Sequence, residues 1–273
     1  MSDYIRQHAV AIDYKLDESW DISINYGIKT GLNEAFIISK EKRDELIKAD
    51  PKSAEIIRPI LRGRDIKRYS INFANLYLIY VPWHFPLQNN PSIVGASKEA
   101  ESLFKKGYPA IYNHLYQYKD KLSKRNRAET GKRYEWYALQ RYGAKYMDDF
   151  SKQKLAWNRI ASKKVFGLVP KEIYIQDSIH FITGEHIEYL TAVLNSSLFI
   201  WLMNTIVGSA AGGNAGNSDN VKELVIIKPS EEIENKIIEY LKNNDAISID
   251  KLIYNMYSLT SDEIGIISAT LLL

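Results

Sequence analysis

At 273 residues, 45% hydrophobic and 12% aromatic, the chain can bury one large core or two small ones, and it is too rich in ring side chains to be disordered. It has no cysteine, which excludes disulfides and thiolate metal sites, and its five histidines are too scattered for zinc-ligand spacing. A reducing, cytoplasmic setting is expected. The N-terminal residues lack the apolar core and small-residue cleavage site of a secretory signal, and the most apolar stretch, Ile187 to Val207, is interrupted by Asn195, Ser196, Ser197, Asn204 and Thr205. That stretch is expected to be a buried helix rather than a membrane span. The formal net charge of +3 conceals an asymmetry: Lys105 to Lys164 holds sixteen Lys and Arg against five Asp and Glu, whereas Ser230 to Leu273 holds three against eight. A segment with a balance of +11 beside a tail of −5 points to a polyanion partner for the middle of the chain.

In chain order, a strand is predicted over Ala9 to Tyr14, and the chain begins as though it continued from something longer. Asp21 to Asn25 and Ala35 to Ser39 alternate like short strands joined by a glycine-bearing loop, which predicts a hairpin. Glu41 to Ala49 reads as a helix; Pro51 opens another at its first turn, and Pro59 is expected to stop it. Leu76 to Val81 is a nearly continuous apolar run, hence a central strand ended by Pro82 and Pro86. Tyr108, Ile111, Tyr112, Leu115 and Leu122 fall on one helical face. Strands follow at Lys154 to Asn158, Val165 to Leu168 and Ile179 to Ile182, then the buried helix, a Gly-, Ser- and Asn-rich loop, a last strand over Lys222 to Lys228, and a short acidic helical tail. The pattern predicts an α+β fold: a mixed, mainly antiparallel sheet with flanking helices, in a main domain over residues 1–229 and a C-terminal helical appendage over 230–273.

Two segments have the composition of a polyanion surface. Arg58 to Tyr69 sets five cations against one acid, with Gly63 between Arg62 and Arg64. Arginine forks suit phosphates and guanine edges, and a glycine there permits close approach. An ordinary solvated turn, with Arg64 or Asp65 in a structural salt bridge, fits the same residues equally well. The second segment runs through Lys124-Arg125-Asn126-Arg127, Lys132-Arg133-Tyr134-Glu135-Trp136-Tyr137 and Gln140-Arg141-Tyr142. Interleaved cations, rings and amides supply phosphate clamps, apolar contacts and base-edge hydrogen bonds. The alternative is that Trp136 and Tyr137 are core and the cations merely solvate a loop.

Taken in order, several strings identify a resemblance. Gly27-Ile28-Lys29-Thr30-Gly31-Leu32-Asn33-Glu34-Ala35-Phe36-Ile37-Ile38 and Ile60-Leu61-Arg62-Gly63-Arg64-Asp65-Ile66-Lys67-Arg68-Tyr69 resemble the C-terminal specificity domain of TaqI-like adenine-N6 DNA methyltransferases and type IIG restriction-modification enzymes. Trp136-Tyr137-Ala138-Leu139-Gln140, Lys154-Leu155-Ala156-Trp157, Phe181-Ile182-Thr183-Gly184 and Leu194-Asn195-Ser196-Ser197-Leu198-Phe199 continue the match. The resemblance implies that the chain reads double-stranded DNA, chiefly through the major groove, beside a methyltransferase domain or subunit that uses S-adenosylmethionine, with magnesium added where the parent also cuts. Whether the chain is an excised domain or a separate subunit stays open.

Because the bases read differ among members of that family, the contact residues are inferred from physics. Lys29, Thr30 and Asn33 are expected in the first loop and Arg62, Arg64 and Arg68 in the second. Lys124, Arg125, Arg127, Arg133, Trp136, Gln140 and Arg141 are expected in the basic aromatic segment, with Asn158 and Arg159 at a strand end. The loop around Asn214 and Asn217 is expected to order on DNA.

No catalytic motif accompanies these residues. The glycine-rich cofactor turn of a methyltransferase is missing, and Asn89-Asn90-Pro91-Ser92 lacks the second proline and the aromatic of a base-gripping loop. Tyr26 to Gly31 does not have Walker spacing. Asp148 and Asp149 are adjacent, and Asp177 and Glu185 could approach each other, but none has nuclease spacing, and all are read as solvated or capping acids. The rival readings are a docking subunit with its acidic tail as the contact, or a contributor of Asp148 or Asp177 to a composite nuclease site.

Overall fold

The computed structural model describes residues 9–11, 20–159, 165–204, 221–222 and 224–271. Two four-stranded sheets and a two-stranded ladder form its frame. In the first sheet β2 (Ile22–Tyr26), β9 (Ile179–Gly184), β6 (Lys154–Asn158) and β7 (Phe166–Val169) lie in that order, every pair antiparallel. In the second, the order is β3 (Ile37–Ser39), β5 (Leu76–Ile79), β4 (Ile57–Leu61), β8 (Tyr174–Ile175), antiparallel except for the β4–β8 pair. The ladder joins β1 (Ala9–Ala11) to β10 (Val225–Ile227). This is the mixed, mainly antiparallel α+β architecture expected from the pattern.

The strands β6 and β9 are buried along nearly their whole length, which is why their sequences do not alternate between polar and apolar. Ala156, Ile179 and Phe181 point into one core, with Ile60, Leu78 and Tyr137. Leu155, Trp157 and Ile182 point into a second, with Trp20, Phe166 and Tyr189. Around the first core pack α1 (Asn33–Phe36), α2 (Lys40–Ala49), α3 (Lys98–Gly107), α4 (Pro109–Tyr116) and α5 (Lys119–Lys124). Around the second pack α6 (Ile187–Leu194), α7 (Ser197–Leu202), α8 (Glu231–Lys242), α9 (Ala246–Met256) and α10 (Ser261–Leu271). The acidic tail helices thus bring Ile237, Ile249, Ile253 and Ile267 to the core that holds Trp20 and Trp157. Among the described residues no helix is long and apolar enough to cross a membrane.

Several local expectations are corrected. Strands form at Ile22–Tyr26 and Ile37–Ser39, while Ala35 and Phe36 end the short helix α1, and there is no hairpin: β2 pairs with β9 and β3 with β5, in different sheets. Pro59 does not stop a helix; the 3-10 turn Pro51–Ile56 ends first, and Pro59 lies inside β4, which pairs with β5 up to that residue and with β8 from Ile60 onward. The apolar face from Tyr108 to Leu122 is buried as expected, but on two helices, since Pro109 starts one and Lys119 another. The buried helix after Ile187 breaks at Asn195 and Ser196. Ser196 Oγ accepts from Phe199 N at 3.4 Å and so begins α7 anew. The residues of that helix beyond 204, the strand residues 12–14, and Asn214 and Asn217 lie outside the described residues.

Lys154 is an unexpected interior cation. It is 0% exposed, and its Nζ donates to Phe150 O at 2.8 Å and Ile173 O at 3.1 Å, tying the 3-10 turn Met147–Ser151 to the approach of β8. Burial lowers its ammonium pKa from 10.5 to about 8. Its folded pKa lies below the unfolded value, so the unfolded chain holds this proton over a window where the native chain has released it. Stability should therefore rise as pH climbs from about 8 toward 10.5, by roughly 3 kcal/mol at most from this group. Urea unfolding of the wild-type chain and of Lys154→Met across pH 7 to 10 checks this: the wild type should gain on the variant as pH rises.

Candidate nucleic-acid interface

The turn Gln176-Asp177-Ser178 between β8 and β9 is where the two sheets and three of the recognisable strings meet. As β2 ends, Gly27 N donates to Ile179 O at 3.0 Å and Ile28 N to Ile175 O at 2.7 Å, carrying the chain from the first sheet to the second. Asp177 N donates to Ile28 O, Gln176 N to Leu61 O and Arg159 N to Ser178 O, each at 3.0 Å. A methyl group on Gly27 would overlap the carbonyls of Gln176 and Ile175, so this crossing admits only glycine. The backbone at Ile28, Leu61 and Arg159 is thereby held on one turn.

The first loop docks on the basic aromatic segment. Lys29 and Arg141 exchange backbone hydrogen bonds, N to O, at 2.9 and 3.0 Å. The Arg141 guanidinium lies 4.9 Å from the ring centre of Tyr26, which in turn meets Tyr146 edge to face. Gly31, at φ +77°, packs on Gln140, whose Oε1 would stand 2.8 Å from an added Cβ. Arg133 stacks over Trp83 at 4.9 Å and pairs with Glu129 at 3.1 Å. Lys29, Asn33, Lys124, Arg127, Arg133 and Arg141 are exposed, and Gln140 is half-buried. Asn33 accepts from Thr30 Oγ1 at 2.7 Å. The side chains of Lys29, Lys124 and Arg127 make no hydrogen bond or ion pair among the described residues.

Three of the expected contacts are turned inward instead. Thr30 and Trp136 are 3% and 7% exposed, and Trp136 Nε1 donates to Glu101 Oε1 at 2.8 Å. Arg125 runs beneath the loop: its guanidinium donates to Thr30 O at 2.5 Å, to Trp136 O at 3.2 Å and to Ala138 O, between the rings of Phe36 and Tyr134. With no carboxylate beside it, burial lowers its pKa to about 10. These residues hold the surface from below.

The second loop is part salt bridge and part surface. Arg62 donates twice to Asp65, at 2.9 Å each, and Asp65 Oδ2 also accepts from Arg62 N at 3.1 Å. Arg64 is exposed, with no side-chain partner among the described residues. Arg68, exposed over the Tyr69 ring, donates to Asn195 O at 2.8 Å. The approach that Gly63 permits is taken by the protein itself: an added Cβ would lie 2.5 Å from Asn158 Nδ2. The loop runs along β7, with Tyr69 N donating to Phe166 O and Leu168 N to Tyr69 O, and covers that edge. Arg159 is exposed at the end of β6. Asp149, read as a solvated or capping acid, is 8% exposed and bonded to Asn25 and Lys152. Among the described residues no three His, Cys, Asp or Glu side chains gather as a metal site.

The fold and this convergence of basic loops define a specificity domain. The chain belongs to the TaqI-like C-terminal specificity domain family, matched over residues 58–215. It is 24% identical over 242 residues to the type II methyltransferase M.MjaIV of Methanocaldococcus jannaschii, a match spanning 85% of this chain and 71% of that protein. Its fold is similar to that of the type IIL restriction-modification enzyme MmeI, solved in complex with DNA, with TM-score 0.56 and 13% identity over 89% of this chain. It is also similar to the type IIG restriction endonuclease BpuSI, with TM-score 0.50 and 12% identity over 88% of this chain. The chain spans 34% and 27% of those two chains.

Removal of the Arg125 fork by Arg125→Met orphans carbonyls of both the loop and the basic segment, and should cost about 2 to 4 kcal/mol of stability in urea unfolding. Gly27→Ala should destabilise by a similar amount or prevent folding, because backbone carbonyls cannot yield as a flexible side chain would.

Proposed function

We propose that this chain reads a double-stranded DNA sequence for a restriction-modification enzyme whose methyltransferase part modifies adenine at N6 with S-adenosylmethionine. Residues 1–229 form the reading domain and 230–273 its helical appendage; cleavage, where the parent has it, belongs to other domains. The observation that carries this reading is that Ile28, Leu61 and Arg159, each beside or itself a cation, are bonded to the one Gln176–Ser178 turn. Lys29, Arg64, Lys124 and Arg127, whose side chains have no partner among the described residues, are suited to phosphates. Arg133 and Arg141, stiffened over Trp83 and Tyr26, together with Gln140, Asn158 and Arg159, are suited to base edges, where a bidentate contact contributes roughly 1 to 3 kcal/mol of discrimination. Arg62 and Arg68 serve the loop's own geometry first.

Binding to duplex DNA should weaken steeply with salt. Lys29→Gln, Arg64→Gln and Arg127→Gln should each lower affinity for all sequences alike and reduce the slope of log K against log salt by about 0.9, without changing the melting temperature. Unchanged affinity in all three variants would remove the assignment of this face.

Arg141→Ala should instead relax base preference at one position of a site selected from a randomised duplex pool, by roughly 5- to 150-fold. The same selected site in wild type and variant would return Arg141 to a purely structural role.

A further inference from the structure

The sequence singles out Asp177 as an acid without a partner motif, and the fold puts it at the centre of the basic loops. Its own N–H is bonded to Ile28 O, one residue before Lys29; Gln176 N is bonded to Leu61 O, one residue before Arg62; and Ser178 O accepts the N–H of Arg159. The backbone of Asp177 is therefore held on both sides, and cations leave from each of the three neighbouring segments. Other acids of this region are matched: Glu34 to Lys121 at 2.7 Å, Asp65 to Arg62 at 2.9 Å, Glu129 to Arg133 at 3.1 Å. Asp177 is half-buried, and its carboxylate has no hydrogen bond or ion pair among the described residues.

A carboxylate cannot bond a phosphate, and it opposes the field that would bring the duplex in. What it can do in a major groove is accept a hydrogen bond, and the donors there are the exocyclic amino groups of cytosine and adenine. Its fixed backbone favours that use, since discrimination needs a side chain whose position is set before the base arrives.

Resting on the DNA-reading function proposed above, we infer that Asp177 is a specificity-determining residue that accepts a hydrogen bond from the amino group of one cytosine or adenine of the recognised site. It imposes a preference at a single base pair and contributes nothing to phosphate affinity.

The test is selection from a randomised duplex pool with the full chain as wild type, Asp177→Asn and Asp177→Ala, together with low-salt affinity for a fixed arbitrary duplex and a melting curve for each. Asp177→Asn keeps the shape and the backbone hydrogen bonds, so it separates recognition from folding. The expected result is a wild-type site with one cytosine or adenine whose preference falls by roughly 5- to 150-fold in Asp177→Ala, while Asp177→Asn, which keeps an acceptor oxygen and adds a donor, keeps the preference or moves it toward adenine. Arbitrary-duplex affinity should be equal or higher, because a negative charge is gone. Wild-type and Asp177→Ala chains that select the same site, with the same preference at every position, overturn the role of Asp177 and leave the recognition function standing. A wild-type chain that enriches no site overturns both.

Discussion

The crossing of Gly27 past the carbonyls of Ile175 and Gln176 is the contact on which the rest of the molecule depends. It lets β2 leave one sheet and hand the chain to the other, so that two sheets with separate helical coats are joined through backbone hydrogen bonds. A side chain there would part the sheets by the width of a methyl group. The loops that carry Lys29, Arg62 and Arg159 would then no longer share a turn. Geometry of this kind suits sequence reading, where side chains must meet base edges to within a fraction of an ångström.

The strings that make the family recognisable divide into scaffold and surface. Lys154 to Trp157 and Phe181 to Gly184 are β6 and β9, buried on both faces. Asn195 is a backbone surrogate: its amide accepts from Phe166 N and donates to Phe166 O and Thr191 O, and its own carbonyl receives Arg68. One buried asparagine thus joins a helix end, the edge strand β7 and a basic loop, and its polar atoms are satisfied in doing so. The surface loops supply the cations, and their placement is inherited from this interior.

Interior cations show how the charge asymmetry is used. Arg125 and Lys154 both count toward the basic middle of the chain, yet each donates to backbone carbonyls, Lys154 buried and Arg125 half-buried. Their desolvation is offset by tying loops that no sheet ladder reaches. The positive surface belongs to their neighbours Lys124, Arg127, Arg133 and Arg141, held in place by them.

By itself the sequence determined the fold class, the family, most strands, the helical tail and the two basic segments, because those rest on periodicity, on proline and glycine, and on ordered strings of residues. Only the tertiary structure decided which cations face the solvent. Arg125 and Lys124 are adjacent in an equally basic string, but Arg125 is bound to Thr30, 95 residues away, and no local pattern records that distance. The same holds for the strands around Gly27, which alternate like a hairpin and join different sheets because Ile175 and Ile179 supply the partners. It holds too for Trp136 and Thr30, whose residue types suit a DNA surface equally well until packing puts them beneath it. Composition sets what a segment is able to do, and long-range backbone partners set which of its side chains are free to do it.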